Sequence, residues 1–354
     1  MSSDAPRERL GSKVSIIIDN YNYGRFLRQA IESVLAQDDE NIEVILVDDG
    51  STDDSVAIAK RLASPRIRLI EKSNGGQPSA FNAGFAASTG EWIMFLDADD
   101  WYEPDAVRTV RQEFREGVAK VHFPLIQHDE AAGRSGEVFP KPLFRGDAAG
   151  ELVEKGYYVW PPTTGNVFRR DVLERLMPIP ESEYRSCADL YLCLRIAAYG
   201  VIAAVDRPLG HYRIHGANAW FQTAFSLDRR LLYTRGRVLL LYERLTRELG
   251  RETGRTVATT VMDLKENVEI VAICHRFAGL RLEEFGYTKK SLAKHWRRRC
   301  RASLASVRSR ILAFLVWQAI HHAPAAVLVR VMRQRERIWR RRRLRRESAL
   351  QTLA

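Results

Sequence analysis

Short apolar runs alternate with amphipathic stretches through the first hundred residues. Residues 14–18 (VSIII), 42–47 (IEVILV), 67–70 (IRLI) and 92–96 (WIMFL) are short, mainly apolar runs, the pattern of strands. Between them, Leu27, Ile31, Val34 and Leu35 fall on one helical stripe, and Val56, Ala59 and Leu62 on a second. Asn74-Gly75-Gly76 reads as a loop, followed by a small-residue helix through Ala80, Ala83 and Ala87. Repeated strand–helix units predict a mainly parallel α/β sheet with helices on both faces. Ligands of such sheets bind beyond the carboxyl ends of the strands, where the polar clusters of this chain fall.

Residues 120–215 are less regular and rich in proline, with one helix predicted over about 189–199. From Phe221 onward the pattern is helical. Leu231, Val238, Leu241, Leu245 and Leu249 form a stripe that Gly250 is expected to stop. No internal repeat is present. The organisation expected is a flexible 1–12, an α/β domain over 13–220 with halves 13–115 and 116–220, and a helical region over 221–354.

Charge divides the chain. The 354 residues carry a net +11, but residues 287–354 alone hold 19 Lys and Arg against Glu336 and Glu347, giving +17 and leaving −6 for the rest. A basic tail on a slightly acidic body points to a polyanionic partner, a membrane surface or nucleic acid. Leu304, Val307, Ile311, Phe314 and Leu315 form an apolar stripe in this tail. A second stripe, Val327, Leu328, Val331, Met332, Ile338 and Trp339, is surrounded by Arg330, Arg333, Arg337 and the arginines at 340–343. Residues 311–329 approach the length of a bilayer span, but Gln318, His321, His322 and Pro324 would have to be buried in it. An amphipathic segment over 287–346 lying on an anionic surface fits better. The four cysteines show no C-x-x-C spacing and read as reduced, buried thiols of a cytosolic protein. The N-terminal MSSDAPRERLGSK has no apolar core, so no secretion leader is expected there.

Two acidic clusters carry candidate chemistry. Asp48-Asp49-Gly50-Ser51 follows the second strand and reads either as a helix-capping turn or as a carboxylate set to accept from a nucleobase N–H. Asp97-Ala98-Asp99-Asp100 ends the fourth. Three carboxylates in four residues repel one another, and a hard divalent cation such as Mg²⁺ or Mn²⁺ would compensate them while binding a diphosphate. Helix capping is the plainer reading, above all for Asp100.

SIIIDNYN at 15–22, VDDGST at 47–52, NGGQPSAFNAG at 74–84 and FLDADDW at 95–101 follow one another in order. Together they resemble a family 2, GT-A-fold inverting glycosyltransferase, strongly over about 13–115 and more weakly to about 215. The resemblance implies that Tyr21 packs on the base of a nucleotide sugar, Asp49 holds that base, and the Asn74 loop lines the donor. Asp97 would face the ribose and sugar, and Asp99 would ligate a Mn²⁺ or Mg²⁺ ion. Two departures stand out: Asp19 occupies the place of a common proline, with little consequence expected, and Phe81 that of a frequent arginine. Ala188-Asp189-Leu190 is similar to the acceptor-side Glu-Asp motif with its glutamate lost, making Asp189 the general base. Tyr212-Arg213-Ile214-His215 resembles a segment whose histidine, here His215, reaches the metal.

The expected activity is transfer of a sugar from a UDP-, GDP- or dTDP-sugar to a saccharide or lipid-linked saccharide, in cell-surface polysaccharide or glycolipid synthesis. The basic tail would hold the enzyme on the inner face of the membrane, peripheral and cytoplasmic. The alternative is a nucleotide-binding scaffold with a basic tail and no transfer activity; the acidic strand end argues against nucleic acid at the core. No Walker A motif, no G-x-S-x-G elbow and no G-x-G-x-x-G after the first strand is present, which disfavours an ATPase, a serine hydrolase and a dinucleotide enzyme.

Overall fold

A computed structural model describes residues 11–62, 64–130, 134–185, 187–215, 229–258, 265–303 and 307–330. In chain order the first strands and helices are β1 (Val14–Asn20), α1 (Gly24–Leu35), β2 (Ile42–Asp48), α2 (Ser55–Arg61), β3 (Ile67–Glu71), α3 (Gln77–Ala87), β4 (Trp92–Asp97), β5 (Trp101–Tyr102) and α4 (Ala106–Arg111). The middle of the chain forms β6 (Val118–His122), β7 (Leu125–Asp129), β8 (Arg134–Phe139), α5 (Ala148–Lys155), β9 (Asn166–Arg169), α6 (Arg170–Leu173), α7 (Glu181–Tyr184), α8 (Ala188–Arg195), β10 (Val201–Ala204) and β11 (Gly210–Ile214). Four longer helices follow: α9 (Arg229–Thr253), α10 (Lys265–Ala278), α11 (Lys289–Ser303) and α12 (Val307–His322).

Seven strands form one sheet in the order β10-β6-β9-β4-β1-β2-β3. Only β9 runs against its neighbours β4 and β6; the other pairs are parallel. The mainly parallel α/β sheet expected from the βα alternation is therefore present. Its apolar runs pack into a continuous core, with Ile16, Ile18, Leu46, Met94 and Leu96 sealed beneath Leu27, Ile31 and Val34 of α1. A second sheet, β5-β11-β7-β8, takes up part of the proline-rich stretch where no strands were read. Its tetrad β5 to β8 brings residues 101–102 and 210–214 side by side.

By its internal contacts the chain divides into two compact units, residues 1–216 with 245–258 and residues 217–244 with 259–354. Helix α9 does not stop at Gly250 but continues to Thr253. Glycine is required there for a different reason: a Cβ would lie 2.4 Å from Val257 Cγ2, where the chain folds back and Arg255 N–H donates to the Gly250 carbonyl at 2.9 Å. In the second unit Trp296 stacks on Trp317 at 4.5 Å and donates through Nε1 to Glu269 Oε1 at 3.1 Å. The Arg276 guanidinium caps the end of α12 by donating to the carbonyls of Ala319, Ile320 and Ala323, a cation at the negative end of a helix. Ala313, Val316, Trp317 and Ile320 make the buried face of α12, whereas Ile311, Leu312, Phe314 and Leu315 are each half exposed or more. Among the described residues no helix is long and apolar enough to cross a membrane. The residues from Val331 onward and Leu304, which belong to the two apolar stripes, lie outside the described residues. All four cysteines are buried and free.

Candidate active site

The register of the central strands builds the site. Asp19 of β1 pairs with Asp97 of β4, and Asn20 of β1 with Asp48 of β2, so the polar ends of three strands share one edge. Asn20 Nδ2 donates to Asp48 Oδ2 at 2.7 Å, and the Ser51 N–H to Asp48 Oδ1 at 2.8 Å. Asp48 is therefore an internal tie of the turn. The loops after β1 and β2 are also joined, because Asn22 Oδ1 accepts from the Thr52 N–H at 2.7 Å. Asn22 sits at φ +58, a left-handed conformation that asparagine tolerates better than most residues. Tyr21 stands exposed on this joined rim.

Asp49 organises the next loop. Its Oδ1 accepts from Lys72 Nζ at 2.7 Å and Gly75 N–H at 3.0 Å, and its Oδ2 from Gly76 N–H at 2.7 Å. Asn74 Nδ2 donates to the Asp49 carbonyl at 3.0 Å, while Arg185 Nη2 donates to Asn74 Oδ1 at 2.5 Å. Both carboxylate oxygens are engaged by this chain's own donors, so Asp49 shapes the Asn74–Gly76 rim. Gly76 adopts φ +87, and a Cβ there would lie 2.7 Å from Arg185 Cγ. Phe81, in the place of the family's arginine, is buried and stacked on Phe95 at 4.0 Å. It belongs to the core, and the guanidinium at the loop comes from Arg185 instead.

Ligand oxygens of Asp97, Asp99 and Asp100 lie within 4.8 Å of one another. Asp100 is no helix cap: it accepts from Thr164 Oγ1 at 2.6 Å and from the Arg213 N–H at 2.9 Å, and α4 begins later, at Ala106. Asp99 meets His215, whose Nε2 is 2.9 Å from Asp99 Oδ2. The imidazole is held between Tyr23 and Phe26 at ring distances of 5.6 and 4.8 Å. Three convergent carboxylates are a hard oxygen donor set of the kind that takes a divalent cation, and His215 touches one of them.

Crowding shows in the proton affinities. Burial, then repulsion from Asp19, Asp100 and Asp99, raises the Asp97 carboxyl well above the usual range. Burial and the Asp99 charge push Asp19 up to about 8. The Asp19 side chain, expected to matter little, is thus a further member of the acidic site, and only strand register brings it there.

Gln77, at the start of α3, joins the two sides of the site. Its Nε2 donates to Asp97 Oδ1 at 3.1 Å, and its Oε1 accepts from the Ala188 N–H at 3.4 Å. Ala188 opens α8, so Asp189 in that helix's first turn is tied to the carboxylate cluster through one amide. Asp189 is half-buried. Burial raises its carboxyl, partly offset by the Leu190 N–H and the Lys120 charge.

Residues 15–177 match the family model for glycosyl transferase family 2. These residues form a family 2 glycosyltransferase domain. Over 215 residues, 58% of this chain, it is 41% identical to an uncharacterised glycosyltransferase of Nostoc sp., of which the match covers 66%. Chondroitin synthase of Pasteurella multocida is 40% identical over 103 residues, 28% of this chain and 11% of its own length. The chain thus spans less than two thirds of the length of either relative. Among solved structures, Staphylococcus aureus TarS 1–349 in complex with UDP-GlcNAc superposes with a TM-score of 0.53 at 17% identity, over 93% of this chain and 92% of that one. The mannosyltransferase PcManGT of Pyrobaculum calidifontis, in complex with GDP-Man and Mn²⁺, gives 0.51 at 16% identity over 91% and 84%. At these identities the likeness is one of fold, and that fold is the GT-A fold the family 2 domain was expected to have.

Proposed function

We propose that the family 2 domain is an inverting glycosyltransferase that moves a sugar from a nucleoside-diphosphate sugar to an acceptor hydroxyl, in polysaccharide or glycolipid synthesis. The observation that carries this reading is the Gln77 bridge, which ties the cation-type cluster to the helix bearing Asp189. The relatives and fold neighbours support it by what their names state: glycosyltransferase, chondroitin synthase, UDP-GlcNAc, GDP-Man with Mn²⁺.

In this reading Tyr21 stacks on the base, and the Asp49-organised loop with Asn74 lines the nucleoside. Asp97 faces the ribose and sugar. Asp99 and His215 would hold the divalent cation. That cation, when bound, supplies positive charge against the negative charge that develops on the departing diphosphate. Asp189 accepts the proton of the acceptor hydroxyl as its oxygen attacks the anomeric carbon opposite the leaving group. A single displacement inverts the anomeric configuration, and no enzyme nucleophile is required.

The C-terminal region serves as a peripheral anchor to an anionic membrane surface on the cytoplasmic side. The exposed apolar face of α12 and the excess of arginine support this reading. The test of the transfer activity is a screen of UDP-, GDP- and dTDP-sugars with Mn²⁺ for release of the nucleoside diphosphate, followed by NMR assignment of the product anomer. Release dependent on Asp189 with an inverted product supports the reading; a retained anomer overturns the mechanism, and no release from any donor overturns the activity.

A further inference from the structure

Lys120 is a charged side chain with no solvent exposure, set in β6 between apolar neighbours. Burying an ammonium is costly unless it is hydrogen-bonded and electrically compensated. Its hydrogen bonds are all to neutral groups. Nζ donates to Asn166 Oδ1 at 2.8 Å, to Cys193 Sγ at 3.3 Å and, at the limit of contact, to the Tyr158 hydroxyl at 3.5 Å. The faces of the Tyr158 and Phe168 rings lie 5.4 and 5.9 Å from it. Burial pushes the Cys193 thiol up to about 11, so it stays a thiol at neutral pH.

A carboxylate one turn along α8, that of Asp189, acts on the ammonium electrostatically and opposes the effect of burial on it. Cys193 and Asp189 are spaced four residues apart on α8 and therefore share a face of that helix. We propose that Lys120 is a positioning residue for the general base: its ammonium faces the Asp189 carboxylate from the core and fastens α8 to the segment that borders the cation cluster. The proposal rests on the reading of Asp189 as the base.

The second half of the device is Asn166. With Oδ1 turned to Lys120, its Nδ2 donates to the carbonyls of Pro161 at 3.0 Å and Pro162 at 2.8 Å. The residues that follow, Thr163 and Thr164, reach Gln77 and Asp100 respectively. Tyr158 adds a bond from its hydroxyl to the Cys193 carbonyl at 2.5 Å. One ammonium thus fixes the amide orientation that sets the 161–164 segment and touches the helix that carries the base.

Other groups bear on Asp189. Asp97 approaches from β4 and repels it, Gln77 from α3 is neutral, and the Cys187 thiol beside it is pushed up to about 12 and stays neutral. Lys120 is a cation acting on the carboxylate, and its charge opposes the effect of burial. A base must be ionised before it can accept a proton, so the charge of Lys120 extends activity toward lower pH.

The test is the pH profile of kcat in the full-length protein, with Lys120→Met removing the charge at nearly constant volume. The acidic limb is expected to move up by about one pH unit, a loss approaching tenfold at the acid end and small at pH 9, with the donor KM unchanged. Equal loss at every pH, or a change in donor KM alone, overturns the proposal and leaves Lys120 a packing residue. Lys120→Gln, which keeps a donor for Asn166, is the second variant and carries the same expectation. If neither variant folds, the ¹⁵Nζ resonance of Lys120 in the wild-type protein decides: an ammonium at pH 7 supports the proposal and a neutral amine overturns it. Wild-type turnover by Asp189→Asn would remove the base reading itself, whereas an inactive Asp189→Asn with an unmoved acidic limb in Lys120→Met defeats this inference alone.

Discussion

His215 Nε2 lies 2.9 Å from Asp99 Oδ2, although 116 residues separate the two in the chain. The pairing arises because β11 enters the second sheet beside β5, which follows the Asp97–Asp100 run directly. Tyr23 and Phe26 then fix the ring from the side of α1. Carboxylate and imidazole are both ligand types for a divalent ion, and the proposed cation site draws on this contact.

This pair gives the first prediction. Asp99→Ala should abolish transfer, and His215→Ala should weaken Mn²⁺ binding by at least tenfold in a calorimetric titration. Excess chelator should inactivate the wild type, with recovery on adding Mn²⁺. Full activity in chelator would remove the cation from the mechanism and leave these residues as hydrogen-bonding groups.

Asp189→Asn should leave donor affinity nearly intact while turnover falls by about 10²–10⁴-fold, the usual contribution of a general base. Asp49→Asn should do the reverse. Its carboxylate gathers Lys72 and two backbone N–H groups, so its loss disorders the Asn74–Gly76 rim and raises the donor Kd first. Equilibrium binding of nucleotide sugar and single-turnover rates, measured on both variants, separate the two effects.

A stability prediction comes from the opposite end of the sheet. Burial would raise Glu43, but donors from Lys13, Ser15 and Thr89 outweigh it and pull the carboxyl down to about 2. A depressed carboxyl contributes stability above its unfolded value of 4.5, and that contribution is lost as pH falls through 2. Glu43→Gln should therefore lower stability by about 1–2 kcal/mol at pH 7, with the gap to wild type closing between pH 4.5 and 2. Urea melts at pH 7 and at acid pH measure it; a gap that stays constant with pH would show that charge plays no part.

The tail predicts binding to anionic liposomes that weakens with salt and is lost on replacing Ile311, Leu312, Phe314 and Leu315 by serine, residues whose side chains are exposed and whose loss spares the core. Equal sedimentation with neutral and anionic vesicles, insensitive to salt, would exclude the electrostatic part.

Much of this was legible in the chain because strands and helices of the first hundred residues obey local periodicity, and because Asp97 and Asp99 lie two apart. Contacts across the sheet were not. Asp19 reads as an incidental substitution until strand register sets it beside Asp97. Lys120 carries no signal in the sequence, since nothing near it announces Asn166 or Cys193 as partners. Gly250 misled in the other direction: a helix-stopping residue by composition, it is kept for a close approach by Val257. His215 was reachable only through resemblance, because its partner is remote in the chain.

The pairing of Asp19 with Asp97 has a consequence for how the molecule responds to heat. Carboxylates driven together at a strand edge should make the domain less robust than its apolar core alone would allow, increasingly so as pH rises toward 8 and Asp19 gives up its proton. Any ligand that neutralises the edge relieves this and raises the melting temperature. The domain is in effect its own reporter: a dye-based melt at pH 8, run against a panel of cations and nucleotides, would rank what the edge binds before a single turnover is measured.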